Sequence, residues 1–152
     1  MVIKLKIEHI MSKNLTVLDI NSNIYDVASK MKEANIGFIP INDKNKIVGV
    51  ITDRDIVVRI LANKDTKIND YISRDLVFIN INDSIDAAIN LMGSKKIKRL
   101  LVEDKGKLVG IISLSDILNN MDSSIVYDNI KKIFSIYRNA DEYITKINEF
   151  EM

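Results

Sequence analysis

Two short segments of the chain place a carboxylate three positions after a hydroxyl residue. Thr52 is followed by Asp55, and Ser113 is followed by Asp116. Each segment comes directly after an apolar run and opens a predicted helix. A carboxylate there can accept hydrogen bonds from both hydroxyls of a ribose, while the hydroxyl residue, a cation such as Arg54 and the first N–H groups of the helix can receive a phosphate. The pattern therefore predicts a nucleotide site at each segment.

The same spacing is also typical of a capping box. In that motif a Ser or Thr and an acidic residue three positions later satisfy the backbone N–H groups at the start of a helix. Either segment taken alone favours this purely structural interpretation. Because the pattern occurs twice, at equivalent places, a binding role gains support, and the residues alone leave both interpretations open.

An internal repeat relates the two segments. Gly49 and Gly110 lie 61 positions apart, and the same offset aligns Asp55 with Asp116. The register holds without gaps from Ile7 and Ile68 to Ile56 and Ile117. An unbroken register of this length indicates a duplication.

Each copy contains the same order of predicted elements, β-α-β-β-α, which gives an α+β fold with an α/β-like order. The first copy has apolar patterns of strands at Leu15–Leu18, Ile36–Ile41 and Ile47–Ile51, and of helices from Ile24 to Met31 and from Arg54 to Leu61. The second has strands at Leu76–Ile79, Ile97–Val102 and Leu108–Ile112, and helices from Ser84 to Met92 and from Ser115. The short polar turn at 42–46 predicts an antiparallel hairpin.

One copy alone would bury too little surface to be stable. The two copies are therefore expected to pack about an approximate two-fold axis and to leave two equivalent clefts. We expect the first repeat, with an N-terminal segment, at residues 1–62 and the second at residues 63–121.

Residues 122–152 are predicted to form a C-terminal amphipathic helix. Its apolar residues alternate at spacings of four and three, which is a heptad pattern. They are Val126, Ile130, Ile133, Tyr137, Ala140, Ile144 and Ile147, with Phe134 and Phe150 beside them. Such a helix either folds back onto its own domain or forms an interface with a second copy or a partner protein, and the pattern favours neither.

Composition limits the function further. The 22 basic and 21 acidic residues give a net charge of +1, which argues against nucleic acid or a membrane surface as a partner. With no cysteine and a single histidine, His9, the chain lacks a thiol nucleophile, a Cys/His zinc site and an acid–base pair, so we expect neither a metal site nor an enzyme. This composition leaves open a magnesium or calcium site built from carboxylates alone. His9 is expected to be a surface or satisfied residue. No apolar run is long enough to span a bilayer and the start is unlike a signal peptide, which predicts a cytoplasmic protein.

Several motifs resemble the cystathionine-β-synthase (CBS) repeat. They are Met11-Ser12, Ile36-Gly37-Phe38-Ile39-Pro40-Ile41 and the run from Gly49 to Ile56. In the second copy, Gly110 to Leu118 resembles the nucleotide-contacting segment in the γ subunit of the AMP-activated kinase, and Lys98-Arg99 is similar to a basic pair there. The resemblance covers residues 7 to about 121.

The resemblance implies a stand-alone CBS pair, or Bateman module, that binds AMP, ADP or ATP, with S-adenosylmethionine or NAD as alternatives, and needs no cofactor. It implies a homodimer formed through the CBS helices and an unidentified protein partner that receives the signal. By motif, Asp55 and Asp116 would hold ribose. Thr52 and Ser113 would contact ribose or phosphate, and Arg54, Ser115, Lys98 and Arg99 would contact phosphate. The adenine would contact Leu15, Thr16, Leu76 and Val77, with Phe38 and Pro40 as an apolar wall.

The two copies also differ. Lys98-Arg99-Leu100-Leu101 replaces Gly37-Phe38-Ile39-Pro40, and Asp70-Tyr71-Ile72-Ser73 stands where the family often has Met-Ser, so the clefts are expected to be unequal. Phe38 could equally be ordinary core, and Lys98 and Arg99 a solvated or interface pair. The alternative function is a ligand-independent scaffold that acts through its C-terminal helix.

Overall fold

The computed structural model describes residues 5–120 and 126–134. The chain divides into two compact units. Asn14–Val77 form one, which we call the Asp55 unit, and the described residues before 14 and after 77 form the other, the Asp116 unit. The described helices are all too short or too polar to cross a membrane.

Two three-stranded sheets with helices make up the described structure, an α+β architecture as predicted. In chain order the elements are α1 (Ile7–Ile10), β1 (Leu18–Asp19), α2 (Ile24–Ala34), β2 (Phe38–Asp43), β3 (Lys46–Thr52), a π-helix (Asp55–Ile60) continued by a 3-10 turn (Leu61–Asn63), β4 (Phe78–Asn80), α3 (Ile85–Lys95), β5 (Arg99–Asp104), β6 (Lys107–Ser113), α4 (Leu114–Leu118) and α5 (Val126–Phe134).

The Asp55 unit has a sheet of order β1-β2-β3, in which β1 is parallel to β2 and β2 is antiparallel to β3. The predicted hairpin is therefore confirmed. Its fully buried Ile39, Ile41 and Ile51 lie on one face of the sheet, because side chains alternate along a strand, and this face belongs to the core. Apolar side chains of α2 and the π-helix complete that cluster.

Local signals fix the ends of α2. The Asn23 side chain accepts hydrogen bonds from the N–H groups of Tyr25 and Asp26, and the Asp26 carboxylate accepts from the Asn23 N–H. Such a cap contributes about 1 kcal/mol to stability. The helix ends at Asn35, which adopts a left-handed backbone conformation with φ 53°.

The Asp116 unit repeats this arrangement. Its sheet order is β4-β5-β6 with the same parallel and antiparallel pairs. Leu100, Val102 and Ile112 are fully buried, as are Ile89 and Met92 of α3. The Ser84 hydroxyl caps α3 by accepting from the Ala87 N–H at 3.1 Å.

Two strand boundaries differ from the sequence-based expectation. The strand predicted at Leu15–Leu18 begins only at Leu18, and the strand predicted at Ile36–Ile41 is observed two residues later, at Phe38–Asp43. Pro40 is tolerated in the central strand because β1 pairs with β2 only from Ile41 onward, so no partner lies where the missing N–H would donate.

The segment that opens each repeat pairs with the hairpin of the other repeat. Ser73 exchanges two backbone hydrogen bonds with Val50 of β3, at 2.8 and 2.9 Å, within the Asp55 unit. Ser12 does the same with Ile111 of β6, at 2.9 and 3.0 Å, within the Asp116 unit. Each compact unit therefore contains residues from both sequence repeats, which meet at residue 62.

A glycine makes each of these pairings sterically possible. A Cβ on Gly49 would lie 3.0 Å from the Ser73 carbonyl oxygen, and one on Gly110 would lie 2.9 Å from the Ser12 carbonyl oxygen and 2.7 Å from Met11 Sδ. A Cβ at either position would push against a backbone oxygen, so the opening segment approaches this closely because the residue has no side chain.

The described part of the C-terminal helix, α5, packs against α3 of its own unit. Ile133 is buried, and the buried Asn129 donates a hydrogen bond to Asn90 at 3.1 Å beside Gly93. For Val126–Phe134 the fold-back alternative is therefore the one observed. The heptad positions Tyr137, Ala140, Ile144 and Ile147, and Phe150, lie outside the described residues.

Candidate functional site

Thr52 and Asp55 form a hydrogen-bonded unit at the end of β3. The Asp55 Oδ2 atom accepts from the Thr52 backbone N–H at 2.9 Å and from its hydroxyl at 2.7 Å. The Thr52 hydroxyl in turn accepts from the Asp55 N–H at 3.2 Å. The capping interpretation is therefore correct, and the hydroxyl acts here by orienting the carboxylate.

Ser113 and Asp116 repeat this geometry at the end of β6. Asp116 Oδ2 accepts from the Ser113 N–H at 2.8 Å and from its hydroxyl at 2.7 Å, while the Ser113 hydroxyl accepts from the Asp116 N–H at 3.1 Å. Both carboxylates are partly buried rather than surrounded by water. A cap uses only one oxygen of each carboxylate, so capping and ligand binding are compatible.

The sheet topology brings several predicted site residues to the same place. Phe38 pairs directly with Thr52, and Arg99 pairs directly with Ser113. Because β1 runs parallel to β2, the residues just before β1 reach the same end of the sheet as Phe38. Leu15 and Thr16 occupy that position and are half-buried.

Phe38 and Pro40 lie on the sheet face opposite to the core residues Ile39 and Ile41, because side chains alternate along a strand. Phe38 is half-buried and Pro40 is buried. Leu76 and Val77 immediately precede β4 and are the last residues of the Asp55 unit. The roles of these residues in contacting adenine stay predictions.

The backbone N–H groups expected to receive a phosphate are largely in use. In the first copy the N–H groups of Asp53, Arg54 and Asp55 all donate within the chain. In the second, those of Leu114 and Asp116 do so. The expectation of free helix N–H groups is therefore wrong at these positions. The capping hydroxyls satisfy the N–H groups of Asp55 and Asp116, backbone oxygens of Gly37 and Lys98 satisfy those of Asp53 and Leu114, and the Asp53 carboxylate satisfies that of Arg54.

Arg54 and Ser115 are exposed. Among the described residues, neither side chain bonds to the carboxylate of its own segment. Lys98 lies next to the Ser113–Asp116 segment, since its backbone oxygen accepts from the Leu114 N–H at 2.8 Å. Its ammonium lies 4.4 Å from the centre of the Phe134 ring in a cation–π contact, so α5 reaches this end of the sheet.

The Asp55 and Asp116 carboxylates differ in what contacts their second oxygen, Oδ1. Asp55 Oδ1 forms an ion pair with Arg59 Nη1 at 3.1 Å. Asn120 stands at the equivalent place in the second copy, and its side chain donates instead to the Asp116 backbone oxygen at 2.8 Å. Sequence analysis missed Arg59, although the i, i+4 spacing of an acidic and a basic residue on a helix was the signal that could have revealed it.

His9 is a surface residue, as expected. Its Nδ1 atom accepts from the Lys6 N–H at 3.0 Å. Within the part of the chain that the structure describes, no three His, Cys, Asp or Glu side chains cluster as metal ligands.

Comparison with known proteins places this architecture in one family. The CBS domain model matches twice, at residues 7–62 and 68–123. The uncharacterized protein YlbB of Bacillus subtilis is 37% identical over 117 residues, which cover 74% of this chain and 79% of YlbB.

Solved structures show the same fold. The CBS domain pair of protein MJ0100, in complex with 5′-methylthioadenosine and S-adenosyl-L-methionine, is 27% identical with a TM-score of 0.71, covering 77% of this chain and 95% of that one. Hypoxic Response Protein I with two coordinated zinc ions is 27% identical with a TM-score of 0.67, covering 78% and 100%. The present chain therefore belongs to the CBS domain family and is a tandem CBS pair, a type of regulatory module.

Proposed function

We propose that this CBS pair is a sensor, not an enzyme, which binds an adenine nucleotide at one or both of the equivalent carboxylates Asp116 and Asp55 and signals to a partner protein. The proposal rests on the hydrogen bonding of the Asp116 carboxylate. Ser113 fixes one carboxylate oxygen, while Oδ1 has no hydrogen-bond partner among the described residues. An oriented carboxylate with one open oxygen is a suitable acceptor for a ribose hydroxyl.

The MJ0100 complex supports the choice of ligand class. Its two ligands, 5′-methylthioadenosine and S-adenosyl-L-methionine, share an adenosine with a ribose diol. AMP, ADP, ATP and NAD carry the same group. Lys98 and Arg99 add positive charge beside Ser113, which favours a ligand with phosphate. We therefore rank the adenine nucleotides before S-adenosylmethionine.

Thermal unfolding with a ligand panel tests the proposal. The panel contains AMP, ADP, ATP, NAD, S-adenosylmethionine and 5′-methylthioadenosine. At one hundred times the dissociation constant, a ligand stabilises the fold by about 2.7 kcal/mol, which raises Tm by roughly 5–10 °C for a chain of this size. Deoxy-AMP serves as the matched control and should give a smaller shift, because it lacks one ribose hydroxyl. The absence of a shift with every ligand would remove the proposal.

Self-association is a second candidate function, and exposed apolar residues favour it. Val57, Val58 and Leu61, on the π-helix and the turn that follows it, are 62%, 54% and 50% exposed. Apolar side chains clustered on one surface segment are typical of an interface. We propose that a second copy of the chain covers them, in a homodimer formed through the CBS helices.

Light scattering tests this proposal directly. The wild-type chain should have twice the monomer mass, and a Val57→Asp/Leu61→Asp variant should have the monomer mass, because a buried unpaired carboxylate opposes association. Tyr25→Ser is the control, since it removes an exposed aromatic residue on α2. A wild-type chain of monomer mass contradicts the homodimer.

A further inference from the structure

The two ribose candidates differ in whether the chain already occupies their second oxygen. Arg59 bonds to Asp55 Oδ1 at 3.1 Å, and the Asp55 side chain is only 17% exposed. No described residue bonds to Asp116 Oδ1. A ribose arriving at Asp55 must therefore displace a charged partner, whereas one arriving at Asp116 meets an open acceptor.

Arg59 is held in place by a second acceptor. The same Nη1 atom donates to the Tyr71 backbone oxygen at 2.9 Å. The position of Tyr71 is also fixed by a hydrogen bond, which its hydroxyl donates to Asp65 at 3.1 Å. Partial burial and this bond raise the pKa of the Tyr71 hydroxyl, and backbone N–H groups of Lys67 and Thr66 lower the pKa of Asp65. The Arg59 guanidinium is thus positioned before any ligand arrives, and moving it breaks two hydrogen bonds.

The charges near the two carboxylates also differ. In the first copy the Asp53 carboxylate lies against Gly37, where a Cβ would be 2.6 Å from Asp53 Oδ2. The equivalent residues in the second copy are Leu114 and Lys98. Asp53 therefore adds a negative charge near Asp55, whereas Lys98 adds a positive charge near Asp116, and this difference favours a phosphate at Asp116.

We propose that Arg59 is a specificity-determining residue that closes the Asp55 site, so that the Asp116 site alone takes the ligand in the wild-type chain. The proposal rests on the proposed nucleotide-binding function and specifies which of its two sites is filled. Asn120, at the position equivalent to Arg59, leaves the Asp116 carboxylate open because its short side chain bonds to the backbone of the same turn.

Titration calorimetry with AMP on the full chain tests this assignment. The wild-type chain should bind one equivalent, and Arg59→Asn should bind a second one. The double variant Arg59→Asn/Asp55→Asn should lose that second equivalent, which places it at Asp55. The reciprocal variant Asn120→Arg should weaken wild-type binding about tenfold, since an ion pair then competes for Asp116. It also keeps the assignment testable if Arg59→Asn fails to fold.

Arg74→Asn is the matched control, because it removes an exposed arginine of the same unit that bonds to Asn69 and not to a carboxylate. It should leave both the stoichiometry and the affinity unchanged. Two equal sites in the wild-type chain would overturn the role of Arg59. A single unchanged site in Arg59→Asn, together with unchanged affinity in Asn120→Arg, would overturn it as well. Both outcomes leave the nucleotide-binding function standing. An absence of binding in every variant overturns the nucleotide-binding function and, with it, the assignment.

Discussion

An Asp116→Asn variant is expected to lose most of the stabilisation that an adenine nucleotide gives to the wild-type chain. Hydrogen bonds to a charged acceptor are worth about 1.5–3 kcal/mol, so the variant should bind roughly 10- to 100-fold more weakly. At a concentration one hundred times the wild-type dissociation constant, stabilisation should fall from about 2.7 to about 0.4–1.4 kcal/mol. Thermal or denaturant unfolding with and without AMP measures the difference.

The unliganded variant should remain folded. Asparagine keeps an oxygen that can accept from the Ser113 N–H, and complete loss of a helix cap costs about 1 kcal/mol. Asp104→Asn is the matched control, because Asp104 pairs with Lys107 at the far end of the β5–β6 hairpin. An Asp116→Asn variant that keeps the full ligand-induced shift would show that the carboxylate does not hold the ribose.

A Gly110→Ala variant is expected to destabilise the Asp116 unit by about 1–3 kcal/mol, the usual cost of overpacking a buried position. The added Cβ would lie 2.9 Å from the Ser12 carbonyl oxygen and 2.7 Å from Met11 Sδ. The methionine can move, but the carbonyl belongs to the backbone that pairs with Ile111. Denaturant unfolding should show a lower midpoint, and hydrogen exchange should be faster at the Ser12 and Ile111 amides.

Gly106→Asn provides the control for replacing a glycine in the same hairpin. Gly106 has φ 76° with open space around it, and Asn45, its equivalent in the first copy, adopts φ 67°. Asparagine tolerates this left-handed conformation, so the stability should change little. If Gly110→Ala is as stable as the wild-type chain, the close approach of the opening segment is not what requires a glycine.

Much of the fold could be predicted because its signals are local. The repeat register and the helical periodicity predicted the order of strands and helices in each repeat. The short polar turns predicted the hairpin formed by its last two strands. The capping boxes were also visible as Thr52–Asp55 and Ser113–Asp116. By contrast, the pairing of Ser12 with Ile111 joins residues nearly a hundred positions apart, and no local pattern encodes such a contact.

The candidate site was predicted less completely than the fold. Residue types identified the carboxylates, and strand pairing brought Phe38 and Arg99 to them. The contact of Lys98 with Phe134 depends on how α5 folds back, which the heptad pattern left open. The bond between Arg59 and Asp55 lies one helical turn beyond the Thr52–Asp55 motif, so the motif itself does not indicate it.

The exchange of opening segments has an evolutionary consequence. A chain with a single repeat would have one strand edge without its partner and one opening segment with nowhere to pair. It could satisfy both by swapping that segment with an identical chain, which would produce a twofold assembly. Fusing two copies turns the swap into an intramolecular event whose effective concentration no longer depends on how much protein the cell contains.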